Sequence, residues 1–539
     1  KIEIEKMTST KIRNFYFQRS VEKLKKIKFL LSKFFYSSPI YGKLNFDEIS
    51  SFKELIIPNL WNGDVEKIKI FLKDKSHNNS NLKNPFFFYY HSFDFLNDLK
   101  EINNEKLRIY GREKTSVWIK KNNSWKSRLW DDFMLASRVC NWIQNYNLFF
   151  STSDEEFKKK LFNSILKQAE HLVKNFSNQK RNSDLIRIIK ALIYISIFIS
   201  NKNYYYQIAI FNLKSELTNQ ILKDGCHFQR NPGIHIQVLK DLLDIRTVLN
   251  SAKKNVFFDL QNAIKNMSIA YRFFLHKDNS LANFNGANNI DEKEIKNIIS
   301  EIPKPIKSPR ELHEGGFQRV DVKDTILIAD CGIPKNYDAT YKAHSCSTAF
   351  ELSYKKKKII INSLPSLNEN MNKATAAHST LTLNNTNSYK ILKNNHLSRV
   401  PDNLKVKRVE RYGANIIEIE NYGYKNQYDA IHKRLIYIDK EGLDIRGEDN
   451  IYCPMEIDFD IRFFLDMGLK TLVTNSGKNI LLRLANNSGW KFSSSLDSLD
   501  IISNRNLNIN KQPITNEHIL LNGKTKELIT VIKWAFKKY

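Results

Sequence analysis

The hydrophobic repeat of this chain changes near residue 300, and that change limits the folds open to it more than any other feature. Before it, apolar residues recur every three and four positions at 130–150, 155–176, 184–199, 204–222, 235–252 and 257–275, the spacing of amphipathic helices. After it, apolar and polar residues alternate. The runs 325–333, 348–354, 357–364, 378–384, 415–422, 434–439, 456–465 and 479–486 read as strands separated by Asn, Gly, Lys and Asp turns. The segment 301–311 carries Pro303, Pro305 and Pro309 and reads as the linker. Antiparallel helix pairs with short connections can close into a ring, and many short strands without intervening helices form a sandwich or barrel. The expected architecture is an α/α toroid, an incomplete helical barrel, over 1–305, followed by an antiparallel β-sandwich over 306–539.

With 539 residues, the chain is too long for one compact core. Its 34 Phe, 23 Tyr and 7 Trp exclude disorder. The net charge of +28 favours a polyanionic partner: nucleic acid, anionic lipid or acidic polysaccharide. Abundant Lys, Asn and Ile give a second reading, in which nucleotide composition sets the charge. The five cysteines are widely spaced with no C-x-x-C pair, which argues against a disulfide framework and a zinc knuckle. The apolar run from Ala191 to Ser200 is too short to span a bilayer, so no integral membrane segment is expected. No secretory signal is legible at the charged amino end, and the chain begins at Lys1, so the compartment stays open. KKKK at 355–358 reads as a hairpin turn, and the Asn78 to Ser80 acceptor pattern as a reflection of Asn abundance. No P-loop, Rossmann glycine fingerprint or H-E-x-x-H is present, and no nucleic-acid motif supports a nucleic-acid partner.

Four stretches carry a resemblance: NPFFFYYHSFDFLNDL (84–99), WDDFMLASRVCNWI (130–143), ILKDGCHFQRNPGIHIQVLKDLL (221–243), and the run from GGFQRV (315–320) through AHSCSTAFEL (343–352) and IIINSLP (359–365) to ATAAHSTLTL (374–383). In this order they resemble the heparinase II/III-like family of polysaccharide lyases, which pair an α/α toroid with a β-sandwich. The resemblance implies β-elimination at a hexuronic acid in an acidic polysaccharide. A base takes the proton beside the sugar carboxylate, whose charge must be neutralised, and an acid serves the leaving oxygen. Family members use Tyr and His for these steps, and some hold zinc through two His and an Asp. The resemblance also implies a periplasmic or secreted protein.

Residue by residue, the equipment is partly replaced. Ile234 stands where the resemblance places the catalytic Tyr, beside a retained His235; Lys342 stands where a His-x-His pair would begin, leaving His344. On this reading His235, Lys342 and His344 are the catalytic candidates, and Arg230, Arg138, Asn141, His91 and Arg319 the substrate-binding ones. His344, His378 and Asn362 match the metal positions, with Asn362 in place of the Asp, so a structural zinc is the only cofactor implied. Each has a plainer reading. His344 and His378 serve equally as strand histidines bonded within the sheet, and Lys342 as a solvated strand residue. Arg230 and His235 flank a helix start, where anions are favoured. Arg138 and Asn141 share a helix face; His91 either lines a cleft or completes an aromatic cluster. Two functions follow: a lyase acting on a uronate-containing glycan, or a non-catalytic acidic-glycan-binding protein that has lost the catalytic Tyr and His.

Overall fold

The computed structural model describes residues 56–539, apart from short interior stretches at 75–83, 103, 127, 177–181, 288–291, 303–306, 363–368, 403, 475–476, 498, 508–512 and 527. The amino-terminal segment, the Asn78 to Ser80 pattern, and Pro303 and Pro305 of the expected linker lie outside the described residues.

Helices come first, as the 3.6-residue repeat requires. The longer ones are Glu105–Asn122, Asp132–Gln144, Glu155–Asn175, Ser183–Phe198, Asn203–Gln220, Pro232–Ser251, Phe258–Phe273 and Glu292–Glu301. Their starts are set by side chains that accept the first free backbone N–H groups: Asn104 from Lys106, Asp131 from Met134, and Asp154 from Phe157. The run at 130–150 is not one helix. It breaks at Asn145, whose side-chain amide bonds the Asn141 carbonyl and so competes with the helical ladder.

The sheets follow, all antiparallel and open-edged. One has nine strands, in the order Glu311–Leu312, Phe317–Val322, Thr325–Asp330, Phe350–Tyr354, Lys357–Ile361, Asp458–Leu465, Pro513–Lys524, Asp500–Leu507, with Leu381–Leu383 also paired to Asp458–Leu465. A second has eight, in the order Lys470–Thr474, Asn479–Arg483, Gly489–Ser494, Leu528–Lys538, Asp444–Cys453, Ile431–Ile438, Ala414–Asn421, Lys405–Arg411, and a small third pairs Lys390–Ile391 with Leu397–Ser398. Strands Ala414–Asn421 and Ile431–Ile438 alternate between half-exposed and buried along their whole length. Their inward faces join Leu327, Leu352, Phe463 and Trp534 in one buried core. The KKKK run does turn a hairpin, with Lys355 at φ +53° between Phe350–Tyr354 and Lys357–Ile361. Strand Lys405–Arg411 escaped the sequence reading because its side chains are exposed or half-buried and five of its seven residues are charged.

Packing divides the described chain into two compact units. The first comprises residues up to 180 with 184–212 and 247–254; the second comprises 182–183, 213–246 and 255–539. The later helices thus belong to the sheet-bearing unit. The reason is polar as well as apolar. Arg319, on strand Phe317–Val322, donates to the Phe273 and Leu275 carbonyls, both at 2.8 Å, at the end of helix Phe258–Phe273. His276 bonds Ser353 and Glu351 on Phe350–Tyr354.

Candidate functional site

In the second unit, helix Pro232–Ser251 is entered through a built turn. Arg230 has φ +57°, the Asn231 side chain accepts from Ile234 N–H at 3.0 Å, and proline occupies the first helical position, where no N–H is needed. This geometry turns the Arg230 side chain onto the sheet. It pairs with Asp330, donates to the Gly315 carbonyl at 2.7 Å, and lies over the Phe317 ring. Asn285 completes the joint: its amide donates to the Arg230 carbonyl at 2.9 Å and its Oδ1 accepts from His344 N–H at 2.9 Å. Cys346 Sγ lies 3.3 Å from Asp330 Oδ2 and 3.7 Å from Asn285 Oδ1. Arg230 and His344, proposed together from sequence, are therefore neighbours through Asn285, Asp330 and Cys346. No sequence signal marked those three as site residues.

His344 and His378 do meet, with Nδ1 of the first 3.2 Å from Nε2 of the second. Neither is on a strand, contrary to expectation: His344 precedes Phe350–Tyr354 and His378 ends the short turn Thr375–Ala377. Burial, then the neighbouring His378 and Lys373, hold the His344 imidazole well below its usual range; burial likewise lowers His378 to about 4. Both rings are neutral at pH 7. The Asn372 carbonyl, 3.2 Å from His378 Nε2, needs a proton on that nitrogen. His344 Nδ1 is then an acceptor and its proton sits on Nε2. That Nε2 rests against Gly286, where an added Cβ would fall 2.8 Å away and φ is +78°.

The donor set does not make the zinc site expected of His344, His378 and Asn362. Asn362 Oδ1 already accepts from Ser379 N–H and its amide donates to Asn283 O, both at 3.2 Å. Only two imidazoles remain, whereas zinc requires at least three protein ligands, with charge from thiolate or carboxylate in most sites. Among the described residues no group of three His, Cys, Asp or Glu could hold a metal ion.

The other candidates have varied surroundings. Lys342 is exposed, its Nζ 5.4 Å from the Tyr341 ring centre, so the burial on which a base role would depend is absent. His235 is buried; Nε2 donates to Met267 O at 2.8 Å and Nδ1 has no partner. Burial lowers its pKa to about 4. Arg319 is buried against the helix-end carbonyls already named and Asp321, so it braces the unit rather than reaching a ligand.

In the first unit, Arg138 is fully buried: it donates to Gln168 Oε1 at 2.8 Å, to the His91 carbonyl at 2.9 Å and to the Leu129 carbonyl at 3.1 Å, over the Trp118 ring. Asn141 donates to Ser92 O at 3.0 Å and Asp94 Oδ1 at 2.6 Å. Helix Asp132–Gln144 thus grips the 91–94 segment with the face that the three-residue spacing identified. A substrate role for either side chain gives way to positioning, because their polar atoms are spent within this unit, on Gln168, the Leu129 carbonyl, Asn97 and the 91–94 segment. His91 itself lies among Phe87, Tyr90 and Trp118 and accepts the Trp118 indole N–H at Nδ1 at 3.0 Å.

Two family models match, end to end: the heparinase II/III N-terminus over residues 102–307 and the heparinase II/III-like C-terminal domain over 304–535. The chain belongs to the heparinase II/III-like family. Heparinase III shares its fold, with a TM-score of 0.68 at 14% identity over 83% of this chain and 76% of that one. The heparan sulfate lyase HepC from Pedobacter heparinus superposes with a TM-score of 0.58 at 16% identity over 84% of this chain and 76% of its own. In sequence, FtsZ-localized protein C from Caulobacter vibrioides (strain NA1000 / CB15N) is 22% identical over 472 residues, 83% of this chain and 81% of that protein. This heparinase II/III-like chain therefore has a helical region followed by antiparallel sheets, on a polysaccharide-lyase fold. Among its described residues no helix is long and apolar enough to cross a membrane.

Proposed function

We propose that this heparinase II/III-like protein holds a uronate-bearing acidic glycan on the surface formed by Asn231, Gly286, Lys342 and His344. One observation carries the reading: His344 Nδ1 faces His378 Nε2 at 3.2 Å, an arrangement that with the Asn372 carbonyl assigns the His344 proton to Nε2, beside Gly286 and two residues from the exposed Lys342. A hydrogen-bond donor next to a flexible cation suits a sugar carboxylate. The same tautomer cannot take a proton at Nε2, and Ile234 supplies no phenol, so recognition is favoured over elimination. The name FtsZ-localized protein C, which records a location rather than a reaction, supports a binding role for this architecture.

A second reading, β-elimination, is favoured by His235. Its Nδ1 carries an unshared lone pair with no partner, on the turn of helix next to Ile234. The lyase names of HepC and of chondroitin AC lyase from Streptomyces coelicolor A3, the latter with a TM-score of 0.53 at 9% identity over 84% of this chain and 74% of its own, support it.

The deciding experiment incubates the native chain with heparan sulfate, chondroitin sulfate and alginate. Binding is followed by calorimetry, and unsaturated uronate by ultraviolet absorbance. Binding without absorbance is expected. Absorbance that disappears in His235→Ala would replace recognition with elimination, and absence of binding to all three glycans would remove both.

A further inference from the structure

The first unit contains a hollow of about 610 Å³ that the reading above does not use. Phe87, Tyr90 and Trp118 give it an aromatic wall. Lys114, Lys121, Lys126 and Arg128 line the rest, against a single carboxylate, Glu113. Lys126 donates to the Lys121 carbonyl and Asn122 Oδ1, and Lys114 lies 5.1 Å from the Tyr110 ring centre; among the described residues none of the four cations is paired with a carboxylate. Four cations set against one carboxylate repel one another, and an anion in the hollow relieves that repulsion.

A second observation is independent of this charge. His91 lines the hollow and is 4% exposed, and its Nε2 has no hydrogen-bond partner. Its tautomer is set by its neighbours. The Trp118 indole can only donate, so Nδ1 must accept, and the proton of the neutral ring lies on Nε2. Burial and the nearby Arg138 keep the ring neutral at pH 7, with a pKa lowered to about 4. A buried N–H left without an acceptor costs about 1–3 kcal/mol, so its persistence here points to an acceptor supplied from outside.

We propose that this hollow is a second saccharide site, which takes one acidic sugar residue with a C–H face on the aromatic wall, its carboxylate or sulfate among the lysines, and an oxygen accepting from His91 Nε2–H. Aromatic rings stack on sugar faces through apolar contact, while the cations and the fixed donor select an anionic sugar over a neutral one. The proposal shares its ligand class with the glycan reading but rests on different residues, so the two can fail separately.

The test titrates the full chain with a heparan sulfate hexasaccharide and, as a neutral control, maltohexaose. Two binding events are expected for the hexasaccharide and none for maltohexaose. Lys121 and Arg128 are exposed, so Lys121→Glu with Arg128→Glu should fold and lose one event, or weaken it at least tenfold. Lys342→Ala should weaken the other event alone. An equal charge change elsewhere, Lys356→Glu with Lys357→Glu, should leave both in place. In histidine-labelled protein, the His91 Nε2–H resonance should shift on saturation. Unchanged binding in the Lys121/Arg128 variant, an equal loss in the Lys356/Lys357 control, or an unmoved His91 resonance would overturn the second site. If only the Lys342 variant fails, the glycan reading stands without it; if the native chain binds nothing, both are lost.

Discussion

Each unit buries an arginine completely, and the two are stabilised by different means. Arg138, among the helices, meets only neutral acceptors: an amide, two carbonyls and the face of Trp118. Burial pulls its pKa down to about 9. Arg434, between the sheets, donates to both oxygens of Asp449 at 2.7 and 3.1 Å, and Asp449 also accepts from His432 and the Trp534 indole. Despite burial, Arg434 and His432 hold the Asp449 carboxyl well below its usual range. The segments of the candidate sites depend on both. Arg138 fixes the His91 carbonyl, and Arg434 donates to the Thr348 and Ser379 carbonyls that flank the His344 and His378 loops. A helix has spent its own backbone groups and offers a buried cation little more than neutral side chains and frayed ends. A sheet face can place a carboxylate directly opposite, since residues across neighbouring strands share one side of the pleat.

This contrast can be broken most directly by removing the anion. Asp449→Asn leaves Arg434 buried and uncompensated, and should cost about 3–5 kcal/mol in denaturant unfolding. Arg138→Met orphans only neutral acceptors and should cost about 1–3 kcal/mol. Equal losses would mean that the two cations are stabilised alike.

Acid should sharpen it next. His91, His235 and His378 have folded pKa values lowered to about 4 from the ordinary 6.5. Between those values the unfolded chain binds more protons, so stability falls as pH drops from 6.5 towards 4, by up to about 1.4 kcal/mol per pH unit for each site. His235→Gln should flatten the slope of unfolding free energy against pH by about one such site. An unchanged slope would show that His235 titrates normally.

Asp466 behaves in the opposite sense. Burial, the largest cause, raises its carboxyl to about 6, with Lys358 opposing. A raised folded pKa favours the folded state below about pH 4, and that advantage is lost as pH rises through 6. Asp466→Asn should therefore gain about 1–3 kcal/mol at pH 7 and nothing at pH 4. A gain that does not vary with pH would exclude this cause. The smallest effect expected is at the proposed glycan surface. Gly286→Ala, strained at φ +78° and pressed on His344, should cost roughly 1 kcal/mol in stability while weakening glycan binding about tenfold. Tight binding by that variant would separate His344 from the ligand.

How much was legible varied with the range of the interaction. Helix Asp132–Gln144 and strand Ala414–Asn421 could be read because burial on one face leaves a repeat within a dozen residues. The placing of Arg138 and Asn141 on one face followed from the same local geometry, but their employment did not: the His91 and Ser92 carbonyls and the Asn97 amide that they bind lie 44–49 residues away in the chain. Asn285, Asp330 and Cys346 left no trace, since an Asn in an Asn-rich loop carries no label. The zinc expectation failed on geometry that spacing cannot express, namely that Asn362 is already engaged.

By itself, then, the sequence determined the order of helical and sheet regions and the family, because periodicity and short motifs are properties of contiguous residues. Tertiary structure alone decided which imidazole nitrogen carries a proton, which arginines are spent on carbonyls, and where unopposed lysines surround a hollow. Those depend on the neighbours that folding brings from distant segments, and on how far burial removes water from between them.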